Sequence, residues 1–395
     1  MPAPEATQHF QTAAVLSIAG AHGLHDLFTG FVSPLLPLLI ANLSLSKTQA
    51  GMLILFLQGP ALFQPLIGQL VDRLGLKQMI YLGPAITVVG MSLIGVAPSF
   101  SLLAALLLAI GINSAFFHSV GSVMSGTLAG KSTGRGTGLW MFGAEFGRTF
   151  SPLLIVAALE LGTPDHLPWL MTIGLAGAGL LYVRLRNVPF APARSASTGE
   201  PWWRAIRGMS YVLLPVLGIV TARAFLVTAL TTYLPTFLHE EGASLTAGGV
   251  ALAVFEAAGM LGALFGGSMS DQLGRKTTVL ISLLVSSPLM WVFMNSDGVL
   301  RLASLVGLGF FMLSNLGVMM ALVQESFPQN RALANGLYLA SYFTAGSVMS
   351  VVVGRLGDVM GLRSAFSIAG LAPLVGAAMV LLLRKSASTA PAPSA

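Results

Sequence analysis

Ten residues, Gly68-Gln-Leu-Val-Asp72-Arg73-Leu-Gly75-Leu-Lys77, come back at Gly267-Ser-Met-Ser-Asp271-Gln-Leu-Gly274-Arg275-Lys276, half a chain further on. Each copy follows one long apolar run and precedes another. A polar turn set at the same place in two apolar halves constrains the chain to a duplicated helical bundle in a membrane.

The composition leaves no soluble alternative. Hydrophobic residues make up 55% of the chain and charged residues 9%, against roughly 25% charged in an average soluble domain. The apolar excess recurs along the whole length in runs of about 20 residues, the thickness of a bilayer core. Cysteine is absent, so disulfide and thiol chemistry are excluded. The polar start, Met1 to Thr12, lacks a basic stretch, so no cleaved signal peptide is expected. Ser386 to Ala395 is an Ala/Pro/Ser tail expected to be disordered.

Twelve transmembrane helices are expected. They fall near about 13–41, 47–72, 77–97, 99–128, 135–159 and 167–186, then about 209–238, 245–270, 276–295, 299–323, 331–357 and 362–384. Short loops make neighbours antiparallel. The fold class is all-α integral membrane: residues 1–186 form one six-helix bundle, 187–208 a cytoplasmic linker, 209–385 a second bundle and 386–395 the tail. With the N-terminus in the cytoplasm, the outer loops receive only Lys47, Arg301, Arg355 and Arg363; Arg148 and Arg223 lie within helices, and every other cation is cytoplasmic. That bias predicts both termini inside and accounts for the net charge of +6 without nucleic acid. The duplication extends to Gly138-Leu-Trp140 and Gly336-Leu-Tyr338, early in the fifth helix of each half.

The repeated signature reads as a conformational latch made of Gly68, Asp72, Arg73, Gly75 and Lys77, with Asp271, Gly274 and Arg275 in the second copy. Glycine lets the helix end and turn, and Asp72 is placed to bond helix N-termini and Arg73. A latch present in one state biases an inward/outward equilibrium. These residues resemble the loop signature of the major facilitator superfamily. Several further pieces resemble its branch of fosmidomycin-resistance-type exporters. They are His22-x-x-x-Asp26 with Pro34-x-x-Pro37, Phe117-His118, Gly134-Arg135, Gln324-Glu325-x-x-Pro328 and Gly336-Leu337. The resemblance implies alternating access driven by an ion gradient, commonly protons, and efflux of small molecules. Two features depart from that branch: Ser119 stands after His118 where proline is usual, and helix 5 carries the pair Glu145 and Arg148.

A charge at bilayer mid-depth costs roughly 2.5–3.5 kcal/mol on insertion scales. Asp26, Glu145, Arg148, Arg223 and Glu256 all fall there. His22 and Asp26 are four apart on one helix face, with His25 close by, and are expected to carry a coupling proton, with Glu145 and Glu256 as further proton sites. Glu145 and Arg148, three apart, are expected to pair, and Gly136, Gly143 and Gly147 point to close helix packing beside them. Arg223 has no acidic neighbour on its own helix, and Asp26 is its expected resting partner. Two arginines at mid-depth favour an anionic substrate. His118, Asn113, Tyr338 and Tyr342 are further expected substrate-lining residues. No metal site is expected from His22-x-x-His25, because no other matched ligand motif accompanies it. Gly126-x-x-x-Gly130-Lys131-Ser132 is one residue short of a phosphate-binding loop and follows a helix instead of a strand.

The sequence thus points to a secondary active transporter, a proton-coupled exporter of a small amphiphilic or anionic compound. It is expected to be a monomer in the inner (cytoplasmic) membrane, with protons, substrate and membrane lipids as partners, no nucleic acid and no cofactor. A uniporter or a lipid or organic-anion transporter of the same fold is the alternative. An intramembrane enzyme using His22, His25 and Asp26 is disfavoured by the duplication and by the lack of a nucleophile motif.

Overall fold

Backbone N–H and C=O groups in a bilayer find no water, so a spanning chain satisfies them internally. In the computed structural model all regular structure among the described residues is helical. Those residues are 9–188, 202–327 and 330–383; the side chains of Pro65, Asp72, residues 202–206, Arg331 and Ala332 fall outside the description. Most of the expected linker, the expected tail, Pro328 and the Asp72 carboxylate therefore lie outside it.

The first half holds α1 (Thr12–Thr29), α2 (Val32–Leu43), α3 (Lys47–Gln58), α4 (Gln64–Leu74) and α5 (Met79–Ser92). It continues with α6 (Phe100–Leu128), α7 (Thr133–Leu161) and α8 (Leu170–Leu185). The second half holds α9 (Trp202–Glu240), α10 (Leu245–Leu273), α11 (Arg275–Asn295), α12 (Gly298–Ser326), α13 (Arg331–Met360) and α14 (Leu362–Leu382). Among the described residues, eleven helical spans are long and apolar enough to cross a bilayer.

Two expected helices are broken by proline. The first bends between α1 and α2, where Pro34 has no N–H to return to Gly30. The second, expected as one helix over 47–72, is α3, a 3-10 turn over Gly59–Phe63 and α4. Pro60 and Pro65 each remove a backbone donor there, so the α-helical ladder cannot run through. The signature glycines divide by role. Gly75 (φ +64°) and Gly274 (φ +87°) take the left-handed half of backbone space that closes α4 and α10. Gly68 and Gly267 lie inside helices, within the spans expected over 47–72 and 245–270.

The halves repeat one packing plan. α1 packs on α7 as α9 packs on α13; α5 packs on α8 as α11 packs on α14; α6 packs on α3 and α4 as α12 packs on α10. Even the polar ties repeat. Asn113 on α6 donates to the Gly83 carbonyl (2.9 Å) and Thr87 Oγ1 (3.0 Å) of α5, and Asn315 on α12 donates to Ser282 Oγ (2.8 Å) of α11. Asn113 is buried, and its amide N–H groups tie α6 to α5.

The halves meet chiefly through α3 with α13 and α7 with α10. Their polar ties gather at the end that carries the α2–α3, α7–α8, α9–α10 and α13–α14 connections, here termed the closed end. Asp358 of α13 accepts from the backbone N–H groups of Lys47 (2.7 Å) and Thr48 (2.9 Å) and from Thr48 Oγ1 (2.5 Å). Lys47 Nζ pairs with Glu240 at 2.9 Å. Tyr233 donates to the carbonyls of Lys47 (2.9 Å) and Ser350 (2.8 Å), and Ser350 donates to Gly51 O (2.8 Å). Thr246 donates to Glu160. A Cβ at Gly51 or Gly354 would strike backbone of the opposite half, whereas one at Gly68, Gly267 or Gly336 would meet nothing within 4 Å. Those three lie toward the other end, here termed the open end.

Candidate functional site

α1 and α7 approach to backbone contact because both carry glycine at the crossing. A Cβ on Gly143 would strike Ala19 O, and one on Gly147 would strike Gly23 O and come within 2.7 Å of Leu27 N. This proximity brings Arg148 of α7 to Asp26 of α1: Nη1 lies 2.9 Å from Asp26 Oδ2, and Nη2 pairs with Glu145. Asp26 and Glu145 are buried, while the Arg148 side chain keeps 37% of its surface. The expected Glu145–Arg148 pair is present. The expected Asp26–Arg223 pair is not, because Arg148 reaches Asp26 first across the glycine crossing.

Arg223, on α9, is instead tied to α12. Its Nε and Nη2 donate to the Met312 carbonyl at 2.9 and 2.6 Å, and its guanidinium lies 5.5 Å from the Tyr342 ring centre. It is 4% exposed. Tyr338 is also buried and donates to Leu316 O at 3.2 Å, tying α13 to α12. Tyr342 is half-buried. Glu256 is buried on α10 and acts on Arg148 through its field from the other half.

Three histidines continue the charged group into the first half. His22 Nδ1 lies 2.8 Å from the Trp140 carbonyl, with its ring stacked on the indole at 3.8 Å between centres. His22 Nε2 lies 3.1 Å from His118 Nε2 and 3.7 Å from Asp26 Oδ2. His118 Nδ1 lies 2.8 Å from Ser114 O and 3.2 Å from Ser114 Oγ. Ser114 Oγ is 3.0 Å from His25 Nε2, and His25 Nδ1 is 2.9 Å from Thr87 Oγ1. A continuous polar chain thus runs from Thr87 through His25, Ser114, His118 and His22 to Asp26, Arg148 and Glu145. His118 belongs to this chain, while Thr87 and Ser114 are members that the sequence reading missed. Ser114, four residues before His118 on one helix face, carried the one available signal.

Donor atoms of His22, Asp26 and His118 lie within 4.8 Å of one another. The carboxylate oxygen they would contribute already accepts from Arg148, so a divalent ion there would face a guanidinium at contact distance. In the second copy of the signature, Arg275 pairs with Asp271 (2.5 Å) and Glu325 (3.0 Å) and bonds Ser270, all within the second half. In the first copy, Arg73 closes α4 and is exposed, and Lys77 is half-buried in the following turn.

The family model for the Major Facilitator Superfamily matches residues 18–259 and 238–395. The chain belongs to that superfamily. Among its relatives, the superfamily member is 26% identical over 381 residues to the Fosmidomycin resistance protein of Escherichia coli (strain K12), covering 93% of this chain and 91% of that one. It is 25% identical to the MFS-type transporter YfnC of Bacillus subtilis (strain 168), over 93% and 92% of the two chains. An MFS-type efflux pump of Mycolicibacterium smegmatis (strain ATCC 700084 / mc(2)155) is 32% identical over 48% of this chain and 46% of that one. Among solved structures, the nucleoside transporter NupG superposes with a TM-score of 0.76 at 15% identity, over 94% and 100% of the chains. A bacterial homologue of the human lysosomal transporter Spinster, inward-facing and occupied, gives 0.75 at 15% identity over 94% and 96%. This chain is accordingly a multi-pass membrane transporter of the superfamily fold.

Proposed function

We propose that this transporter is a proton-coupled antiporter that exports a small anionic or amphiphilic compound by alternating access. The observation that carries the reading is the Asp26–Arg148–Glu145 group on α1 and α7, with buried carboxylates, a partly open guanidinium and Glu256 of the other half near enough to act on Arg148. Two carboxylates share one guanidinium, so a proton arriving on Asp26 releases one of the bonds that hold Arg148. The freed donors then bind an anion, and by reciprocity a bound anion raises the proton affinity of Asp26. One charge thereby couples the two ligands; the direction of exchange is taken from the MFS-type efflux pump among the relatives, and the sign of the gradient dependence in the assay below separates exchange from co-transport. With both termini cytoplasmic, the closed end faces outward and the site is reached from inside. Binding of membrane lipids, a monomeric state and an inner-membrane location belong to this reading, and the repeated signature is its latch at the cytoplasmic end.

The name of the Escherichia coli relative makes fosmidomycin, a phosphonate, the first compound to assay. In liposomes holding the purified transporter, an imposed proton gradient should drive its flux. Asp26→Asn should leave a folded protein whose flux no longer responds to the gradient. An unchanged response in that variant would remove Asp26 from coupling. Flux in the wild type that ignores the gradient would mean uniport.

A further inference from the structure

His22 and His118 face each other through nitrogens that the rest of the structure has already assigned. A backbone carbonyl only accepts, so His22 Nδ1, 2.8 Å from Trp140 O, carries a hydrogen. The same holds for His118 Nδ1 at 2.8 Å from Ser114 O. A neutral imidazole has one N–H, and in both rings it is now placed on Nδ1. The two Nε2 atoms, 3.1 Å apart, would then present lone pair to lone pair at hydrogen-bond distance. One added proton removes the conflict. It makes an N–H···N bond and leaves both carbonyl bonds intact.

The local charges ask for the same proton. Asp26 and Glu145 carry two negative charges against the single positive charge of Arg148. One proton on the histidine pair balances them, and His22 Nε2 lies 3.7 Å from Asp26 Oδ2. The other ionisable groups that bear on the pair are His25 on α1 and Arg148 on α7, whose charge opposes a proton on His22 and is itself offset by the two carboxylates. Of these, His25 is bonded to Ser114 and Thr87 and takes no part in the Nε2–Nε2 contact. His22 is 3% exposed and His118 is half-buried, so the pair has an inner and an outer member. His118 sits ten residues before the α6 C-terminus, about 15 Å from the open end.

We propose that His22 and His118 form a dyad that binds one proton between their Nε2 atoms, and that this dyad is where the transporter exchanges its coupling proton with water at the open end. The proton passes from a hydronium ion to His118 Nε2, is shared with His22 Nε2, and moves on to Asp26 Oδ2; release reverses these steps. The inference rests on the proton-coupled reading above only in its transport part. The one-proton dyad is a statement about the protein at rest.

The test has two arms. In the first, full-length protein in lipid nanodiscs, labelled with 15N at histidine, is studied by NMR near neutral pH. The expected result is a hydrogen on Nδ1 of both rings and a 15N–15N coupling across the shared bond. The coupling should vanish in His118→Gln and in His22→Gln, each checked for folding by its melting temperature. A bare Nδ1 on either ring, or no coupling in the wild type, overturns the dyad. So does a stoichiometric zinc ion whose removal by chelator changes the histidine signals. In the second arm, proton-driven fosmidomycin flux in liposomes should lose its gradient dependence in each single variant, and the double variant should lose no more than either. Retained gradient dependence in both singles overturns the coupling role while the antiport reading stands. Absent gradient dependence in the wild type overturns the antiport reading, and the first arm still decides the dyad.

Discussion

Arg148 and Arg223 are both buried-helix arginines, yet their surroundings differ in kind. Arg148 is held by two carboxylates that can change their protonation, and a third of its side chain is open. Arg223 is held by a main-chain carbonyl that cannot. The first therefore has the protonation-sensitive hold that the proposed function needs, and the second ties α9 to α12. If the proposed function holds, Arg148→Ala weakens binding of the anionic compound that the liposome assay identifies at least about tenfold, a loss of roughly 1.4 kcal/mol, by titration calorimetry. Arg223→Ala is expected to leave that affinity nearly unchanged and to lower stability by about 1–3 kcal/mol, because it removes two hydrogen bonds between α9 and α12 and leaves the space of a buried side chain unfilled. A melting curve indistinguishable from wild type would refute the tie. The sequence displayed both arginines and their depth. It could not show their partners, since Asp26 lies 122 positions from Arg148 and Met312 lies 89 from Arg223.

At the scale of helices, small residues decide what the charged ones can reach. The α1–α7 crossing works because Gly143 and Gly147 let the backbones touch. Gly147→Ala is expected to push α1 away from α7, costing about 1–3 kcal/mol by overpacking and breaking the Asp26–Arg148 pair. The measurement is a melting temperature together with gradient-driven flux, and both should fall. Normal values of both would show that the crossing has slack. Helix periods and apolar runs made the spans legible in the sequence, and the glycine spacing in α7 already pointed to close packing. The breaks at Gly30 and over Gly59–Phe63 were carried by Pro34, Pro60 and Pro65. They were obscured because apolar runs continue across them and hydropathy does not register a missing N–H.

Across the whole molecule, the closed end is a polar seam between the halves. Asp358 caps the first N–H groups of α3 from the opposite half, a favourable site for a carboxylate because the helix N-terminus is electropositive. Lys47–Glu240 and the Tyr233 bonds add to it. Opening this end must break them all, so the seam stabilises the state in which the other end is open. Asp358→Asn is expected to shift the population toward the alternative state. The chain has no cysteine, so spin-label pairs can be introduced without removing native thiols. Distances across the closed end, measured by double electron–electron resonance, should lengthen in the variant. An unchanged distance distribution would show that Asp358 does not hold the seam.

Sequence alone determined the architecture, since a 20-residue apolar period, a polar turn repeated at half-chain spacing and the scarcity of charge leave few other folds in a bilayer. It also singled out the buried charges, because any charge at that depth stands out against an apolar background. What only the tertiary structure decided was the pairing: Asp26 with Arg148 and not Arg223, His22 with His118, Asn113 with α5, Asp358 with α3. Pairing depends on the distance and orientation between side chains from different helices, and these are set by backbone crossings and proline breaks. Neither leaves a periodic trace along the chain.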